Sequence, residues 1–154
     1  MGNHDTAHPS NSCAQKCAEA TILELASERL GKRLTPLTWT TDGQSQIKID
    51  GVAEDGSILA EVYARQTALK PGNERKVMTD ALRLLWFRDF FSPAPRLVLC
   101  LSSRAAARSL VWDAKRCRWP SWKAELLHDL GIEVEVFDLP NGEEIERAQD
   151  DQKR

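Results

Sequence analysis

The order of helical and strand patterns along this 154-residue chain predicts an α/β fold, a three-layer domain with a mixed central β-sheet flanked by helices. An Asp55-Gly56 turn signal joins two segments rich in β-branched and apolar residues, which is typical of an antiparallel hairpin. Residues 96–101 are almost continuously apolar, as in a strand buried on both faces. Helical periodicity before and after these strands supplies the outer layers.

The first helix is predicted from Cys13 to the residue before Gly31. Ser12 and Gln15 form a capping box at its beginning, and Gly31 is suited to end it. Projected at about 100° per residue, its apolar side also carries Glu19. An acid on a core-facing side requires a partner, unless it reaches solvent from the first turns of the helix.

The remaining elements follow from the same patterns and complete one domain at 12–140, between a disordered leader at 1–11 and an acidic tail at 141–154. The sequence has no secretory signal pattern and no apolar run approaching about 20 residues, so we expect a cytoplasmic protein with no membrane association. Its four cysteines form no CxxC pair. The other predicted elements are a strand at 37–41, helices at 73–91, 104–115 and 120–130, and a strand at 132–137.

Charge is strongly segregated along the chain, although the formal net charge is only −2. Residues 65–123 contain 13 basic and four acidic residues, whereas the segments on either side are acidic. A basic middle of this kind suits a phosphate backbone. The alternative is a set of solvated helix faces that happen to be basic.

The hairpin turn fixes which residues face one another. With Asp55 and Gly56 as a two-residue type I′ loop, Asp50 lies directly across from Glu61. One step further out on the same side, Lys48 faces Tyr63. Two carboxylates placed side by side repel each other, which suggests a metal site. The opposite face is predicted to be buried, and carries Ile47, Ile49, Gly51, Ala60, Val62 and Ala64.

An inward acid on the first helix, Asp50 on one strand, Glu61 on the next and a helix after it resemble the restriction-endonuclease-like, or PD-(D/E)XK, nuclease superfamily. The resemblance covers roughly residues 13–139. It implies a metal-dependent nuclease that hydrolyses the phosphodiester bonds of DNA. It also implies that Asp50 and Glu61 ligate Mg²⁺ or Mn²⁺, and Glu19 matches the first-helix acid of some branches.

The chain departs from this family at Tyr63, which stands where the family has lysine. A phenol with a pKa of about 10 carries no positive charge that would steady a hydroxide. Lys48, as the cross-strand neighbour, or Lys76, from the following helix, would have to replace it, and we prefer Lys76. Lys76 and Asp80 also fit a surface ion pair. The alternative function is a catalytically inactive nucleic-acid-binding or protein-interaction module, and a purely structural adaptor is a third.

Basic residues after the hairpin are the predicted contacts to phosphates. Trp119 or Trp122 would stack on an exposed base, although core packing is the preferred interpretation of both. Small folds of this kind also dimerise or join larger DNA-processing assemblies. The predicted phosphate contacts are Arg65, Lys70, Arg75, Arg104, Arg116 and Arg118.

Overall fold

The computed structural model describes residues 9–139, which form one five-stranded sheet with helices on both faces. The strand order is β1-β2-β3-β4-β5, with β1 to β3 antiparallel and β3 to β5 parallel. The α/β prediction is therefore confirmed. The elements are α1 (Pro9–Leu30), β1 (Leu34–Thr40), β2 (Gln46–Ala53), β3 (Ile58–Tyr63), α2 (Pro71–Arg88), β4 (Arg96–Leu101), α3 (Arg104–Ala107), α4 (Trp122–Asp129) and β5 (Ile132–Val136).

Two apolar clusters, one on each face of the sheet, make the three layers. On one face α1 packs on the sheet through Ile22 and Ala26, with Phe137 in the same cluster. On the other face α2 packs through Leu84 and Phe87, and residues of α3 and α4 join the same cluster. All six residues of β3 are buried, which makes it the central strand of the core.

Helix α1 ends where predicted but begins earlier. It ends at Leu30, and Gly31 follows with a φ of 69°, the left-handed conformation that glycine adopts without strain. It begins at Pro9, inside the predicted leader, so the predicted start at Cys13 with a capping box at Ser12 and Gln15 is wrong. Residues 1–8 of that leader and the predicted acidic tail at 141–154 lie outside the described residues. None of the described helices is both long and apolar enough to cross a bilayer.

The helix predicted over 104–115 is wrong in length, since α3 contains only four residues. Further along, Asp113 forms a turn where the helix was predicted to continue. Its carboxylate Oδ1 accepts hydrogen bonds from the main-chain nitrogens of Lys115 and Arg116, at 3.0 and 3.1 Å. Side-chain bonds of this kind compete with the helical pattern and favour turns.

The predicted register of the β2–β3 hairpin is confirmed by the pairs Gly51–Ala60 and Val52–Leu59. The predicted type I′ turn is wrong. The Gly56 nitrogen donates to the Ala53 carbonyl at 2.8 Å, so the residues between them form the turn. Gly56 has a φ of 70°, but neither residue before it has the positive φ that a type I′ turn requires.

A β-bulge in β2 changes the direction of its side chains. The pairing with β1 passes from Thr35–Val52 to Leu37–Ile49, so β2 advances by three residues while β1 advances by two. The extra residue falls at 50–51, next to the carboxylate of Asp50. A bulge reverses the inward and outward alternation of every residue before it.

The bulge makes two predictions wrong. Ile49 and Ile47 pack in the α2-side cluster together with Tyr63, instead of on the α1 side. Lys48 lies between them in sequence, so its side chain is on the opposite face from Tyr63, where it is exposed. The predicted Lys48–Tyr63 pair does not form.

Candidate active site

The centre of the candidate site is a pair of carboxyl groups on β2 and β3. Glu61 is only 1% exposed, and its carboxyl hydrogen-bonds to that of Asp50. The other contact of Asp50 is with the Val62 main-chain nitrogen, which donates to Oδ2 at 3.0 Å. The hairpin register therefore places the two acids together, as the sequence predicts. Burial, and then the adjacent Asp50, raise the pKa of Glu61 to about 9, so the pair retains a proton at neutral pH.

Arg83 of α2 is the cation that holds this pair in place. Its Nη2 and Nε lie 2.8 and 3.2 Å from Glu61 Oε1, and Nη2 also lies 2.8 Å from Asp80 Oδ1. Burial works against the charge of Arg83, but Glu61 and Asp80 outweigh it and raise its pKa. Arg83 is not among the site residues that the sequence predicts. The available signal was its i, i+3 spacing from Asp80 on the sheet-facing side of α2.

Asp80 is buried, and the predicted surface pair with Lys76 is wrong. The Tyr63 hydroxyl donates to Asp80 Oδ2, and Arg83 holds the other carboxylate oxygen. Burial, followed by the bond to Asp80, raises the pKa of Tyr63, so the phenol is neutral. We refer to Asp50, Glu61, Tyr63, Asp80 and Arg83 as the carboxylate network.

A small cavity of about 50 Å³ opens at the end of β3, between α1 and α2. Lys76 lines it, with Nζ 5.4 Å from the centroid of the Tyr63 ring. Glu19 lines it from α1 and accepts a hydrogen bond from Gln15 Nε2 at 3.2 Å. The structure thus brings four of the predicted site residues, Glu19, Tyr63, Arg65 and Lys76, to one cavity. The lining residues are Gln15, Glu19, Val62, Tyr63, Ala64, Arg65, Asn73 and Lys76.

The predicted metal ligands are only partly brought together. Asp50 and Glu61 are in contact, whereas Glu19 lies at the neighbouring cavity. Within residues 9–139, no group of three or more His, Cys, Asp or Glu side chains is arranged to hold a metal ion.

A much larger groove, of about 1030 Å³, lies at the same end of the sheet. It is lined by the segment after β3, by α3 and the turns after it, and by Val136 of β5. Two of the predicted phosphate contacts, Arg104 and Arg116, line it. We refer to it as the basic groove. The other predicted phosphate contacts lie elsewhere: Arg65 lines the small cavity, and Lys70, Arg75 and Arg118 are exposed outside both depressions.

Hydrogen bonds join the segment after β3, which lines both depressions, to the beginning of α3. The Ser102 and Ser103 hydroxyls donate to the Arg65 carbonyl at 2.8 and 3.2 Å. Ser103 also caps α3, since its Oγ accepts from the Ala106 nitrogen at 3.1 Å. Arg65 lines the cavity and Ala68 lines the groove. Three residues span at most about 11 Å, so the two depressions are close neighbours.

The tryptophans divide between packing and exposure. Trp119 is half-buried, with its ring centroid 5.1 Å from Trp112 and 4.8 Å from His128, which is a packing role. Trp122 is 67% exposed on α4, outside the basic groove. Trp112 is 47% exposed and lines the groove. Trp112 is not among the predicted site residues, because it falls inside the helix predicted over 104–115.

Comparison with known proteins adds one structural likeness. No family model matches the chain, and no curated protein was found to be similar. A solved structure described as "Structure of EndoMS in apo form" is similar over 80% of this chain and 47% of its own length, with 18% identity and a TM-score of 0.39. The chain thus spans about half of that protein. A likeness of this degree does not identify a function.

Proposed function

We propose that this protein is a metal-dependent nuclease that hydrolyses phosphodiester bonds of DNA. The observation that carries the proposal is the position of the Asp50–Glu61 pair. It lies beside a cavity with an acid and a lysine on its wall, and that cavity adjoins a groove rich in cations. Carboxylates, a lysine and a phosphate-binding surface are the parts that metal-assisted phosphodiester hydrolysis needs.

The donor set suits a hard divalent cation. One oxygen of Asp50 is taken by the Val62 nitrogen, and one oxygen of Glu61 by Arg83. Each carboxyl has a second oxygen, and the proton that the pair retains would leave when a cation binds to the two groups. Oxygen donors of this type are those that Mg²⁺ and Mn²⁺ prefer. When bound, such an ion polarises the phosphodiester and makes an attacking water more acidic.

The other residues of the site position groups or supply charge. Arg83 fixes the carboxyl of Glu61, and Tyr63 fixes the far side of Asp80, so both are positioning residues. Lys76 is exposed at the cavity, where its ammonium stabilises negative charge developing on the phosphate. Arg65 lines the same cavity with its main chain held by Ser102, which suits it to an adjacent phosphate.

The second candidate is a catalytically inactive nucleic-acid-binding module. Two observations favour it: Arg83 already occupies one oxygen of Glu61, and Tyr63 stands at the position where the nuclease superfamily that the sequence resembles has lysine. Self-association and membership of a larger DNA-processing assembly remain predictions from the sequence.

Cleavage assays separate the two candidates. Supercoiled plasmid and single-stranded DNA are incubated with the protein in Mg²⁺, Mn²⁺ or EDTA. We expect cleavage with either metal, none in EDTA, and none from Asp50→Asn or Glu61→Gln protein that retains its fold by circular dichroism. Wild-type protein that binds DNA yet cuts nothing with either metal would establish the inactive module.

The two candidate lysines are distinguished in the same assay. Lys76→Ala is expected to lower the cleavage rate about 10²- to 10³-fold, as for loss of one group that stabilises transition-state charge. Lys48→Ala removes the same charge from the opposite face of the sheet and should leave the rate within about twofold. A large loss of rate in Lys48→Ala, with little loss in Lys76→Ala, would show that Lys48 is the lysine of the site.

A further inference from the structure

The basic groove has two chemically different parts, an apolar floor and a cationic rim. Leu69, Ala107, Val111 and Val136 lie among its lining residues and supply apolar surface. The cationic side chains that line it are Arg104, Arg108, Lys115 and Arg116. A ligand that fills such a groove needs an apolar, planar or bulky part together with negative charge.

Among the residues that the structure describes, little negative charge compensates the cations of the rim. Asp113 is the one acid among the lining residues, and its Oδ1 is already bonded to the main-chain nitrogens of Lys115 and Arg116. Of the four cations, only Arg116 has an ion-pair partner within residues 9–139, namely Asp113 Oδ2 at 3.7 Å. The rim therefore carries net positive charge toward solvent, which attracts phosphates.

An aromatic ring stands at the edge of this groove. Trp112 is 47% exposed, and Trp119 packs against it with an interplanar angle of 78°. The contact steadies the Trp112 ring and leaves almost half of the residue accessible. Exposed aromatic side chains beside cations are the usual platform for unstacked bases in proteins that bind single strands.

We propose that the basic groove binds single-stranded nucleic acid, with a base against Trp112 and the apolar floor and the flanking phosphates against the cationic rim. In a duplex the bases are stacked and paired inside the helix, so only phosphates would meet the groove and its apolar floor would stay uncovered. A single strand presents both chemistries at once. The inference rests on the proposed function and deepens it, because a strand in the groove would lie next to the small cavity that Arg65 lines.

The test measures binding without cleavage. Fluorescence anisotropy in EDTA is used with Asp50→Asn protein and three labelled probes of equal length: a single-stranded DNA, its duplex, and a single-stranded oligomer lacking bases. We expect the single strand to bind at least fivefold more tightly than either of the others. Equal affinity for the single strand and the oligomer without bases would overturn the proposal, since it would reduce the groove to a phosphate-binding surface.

Substitution of the aromatic platform gives the second arm. Trp112→Ala is expected to raise the Kd for the single strand about five- to a hundredfold, the range for loss of one base–aromatic contact. Trp122→Ala removes an exposed tryptophan outside the groove and should leave the Kd unchanged. Trp112→Phe keeps an aromatic face and should retain most of the affinity, which keeps the test decisive where the alanine variant folds poorly. Equal Kd values for wild type and Trp112→Ala, with both folded, would refute the inference.

Failure of this inference is distinguishable from failure of the proposed function. Metal-dependent cleavage of duplex DNA with no preference for single strands would support the nuclease proposal and refute the proposal that the basic groove binds single strands. Tight, Trp112-dependent binding of single strands by a protein that cuts nothing would do the opposite.

Discussion

Replacement of Glu61 by Gln is expected to change how the stability of the protein depends on pH. On folding, the pKa of Glu61 rises from 4.5 to about 9, because the side chain is buried and the Asp50 carboxyl lies against it. Between these pH values the folded state holds one more proton than the unfolded state. The free energy of unfolding therefore falls as pH rises through this window, by at most about 1.4 kcal/mol per pH unit.

Gln has the shape of a protonated Glu but does not ionise, so the variant lacks this contribution. Urea denaturation at pH 5.5 and 7.5 measures it. Over these two units the wild type is expected to lose up to about 2.7 kcal/mol more stability than Glu61→Gln. Glu125→Gln, at an exposed position on α4, should follow the wild type. Parallel stability curves for wild type and Glu61→Gln would show that Glu61 ionises in the folded protein, and would refute this reasoning.

Two further predictions concern stability. Arg83→Met leaves its buried carboxyl partners without a cation and should cost about 1–3 kcal/mol, below the cost for a fully buried pair because the Arg83 side chain is 31% exposed. Arg88→Met, on the same helix but in a surface pair, should cost less than about 0.5 kcal/mol. Equal losses of stability in the two variants would show that Arg83 does not stabilise the carboxylate network. Gly51→Ala places a Cβ 2.6 Å from Leu23 Cδ1 and should cost about 1–3 kcal/mol by thermal or urea denaturation, whereas Gly72→Ala meets open space. Equal stabilities of the two glycine variants would show that α1 does not pack closely on β2.

Local chemistry was sufficient to predict the hairpin and the pair of acids it brings together. Once the turn is located, the number of residues between it and each acid decides that Asp50 lies against Glu61. The bulge in β2 was not predictable in this way, since it appears in the pairing with β1, between the pairs Leu37–Ile49 and Thr35–Val52. That one-residue irregularity moved Ile47 and Ile49 to the other face and took Lys48 away from Tyr63.

The parts of the site that sequence reasoning missed depend on long-range packing. Arg83 reaches Glu61 because of how α2 is rotated about its axis over β3. Helical periodicity identifies the apolar side of α2 but does not predict that rotation. Trp112 reached the basic groove because α3 ends after four residues. The cationic character of the segment was readable from composition, whereas the groove required α3, β5 and the segment after β3 to meet.

The proposed metal-dependent nuclease function is tested most directly by a crystal structure of the protein soaked in Mn²⁺, with anomalous scattering used to locate the ion. We expect a peak at the oxygens of Asp50 and Glu61, and loss of that peak in Asp50→Asn crystals. At saturating Mn²⁺, an Asp50–Glu61 pair still in contact, with no anomalous peak beside it, would show that the pair is not a metal site.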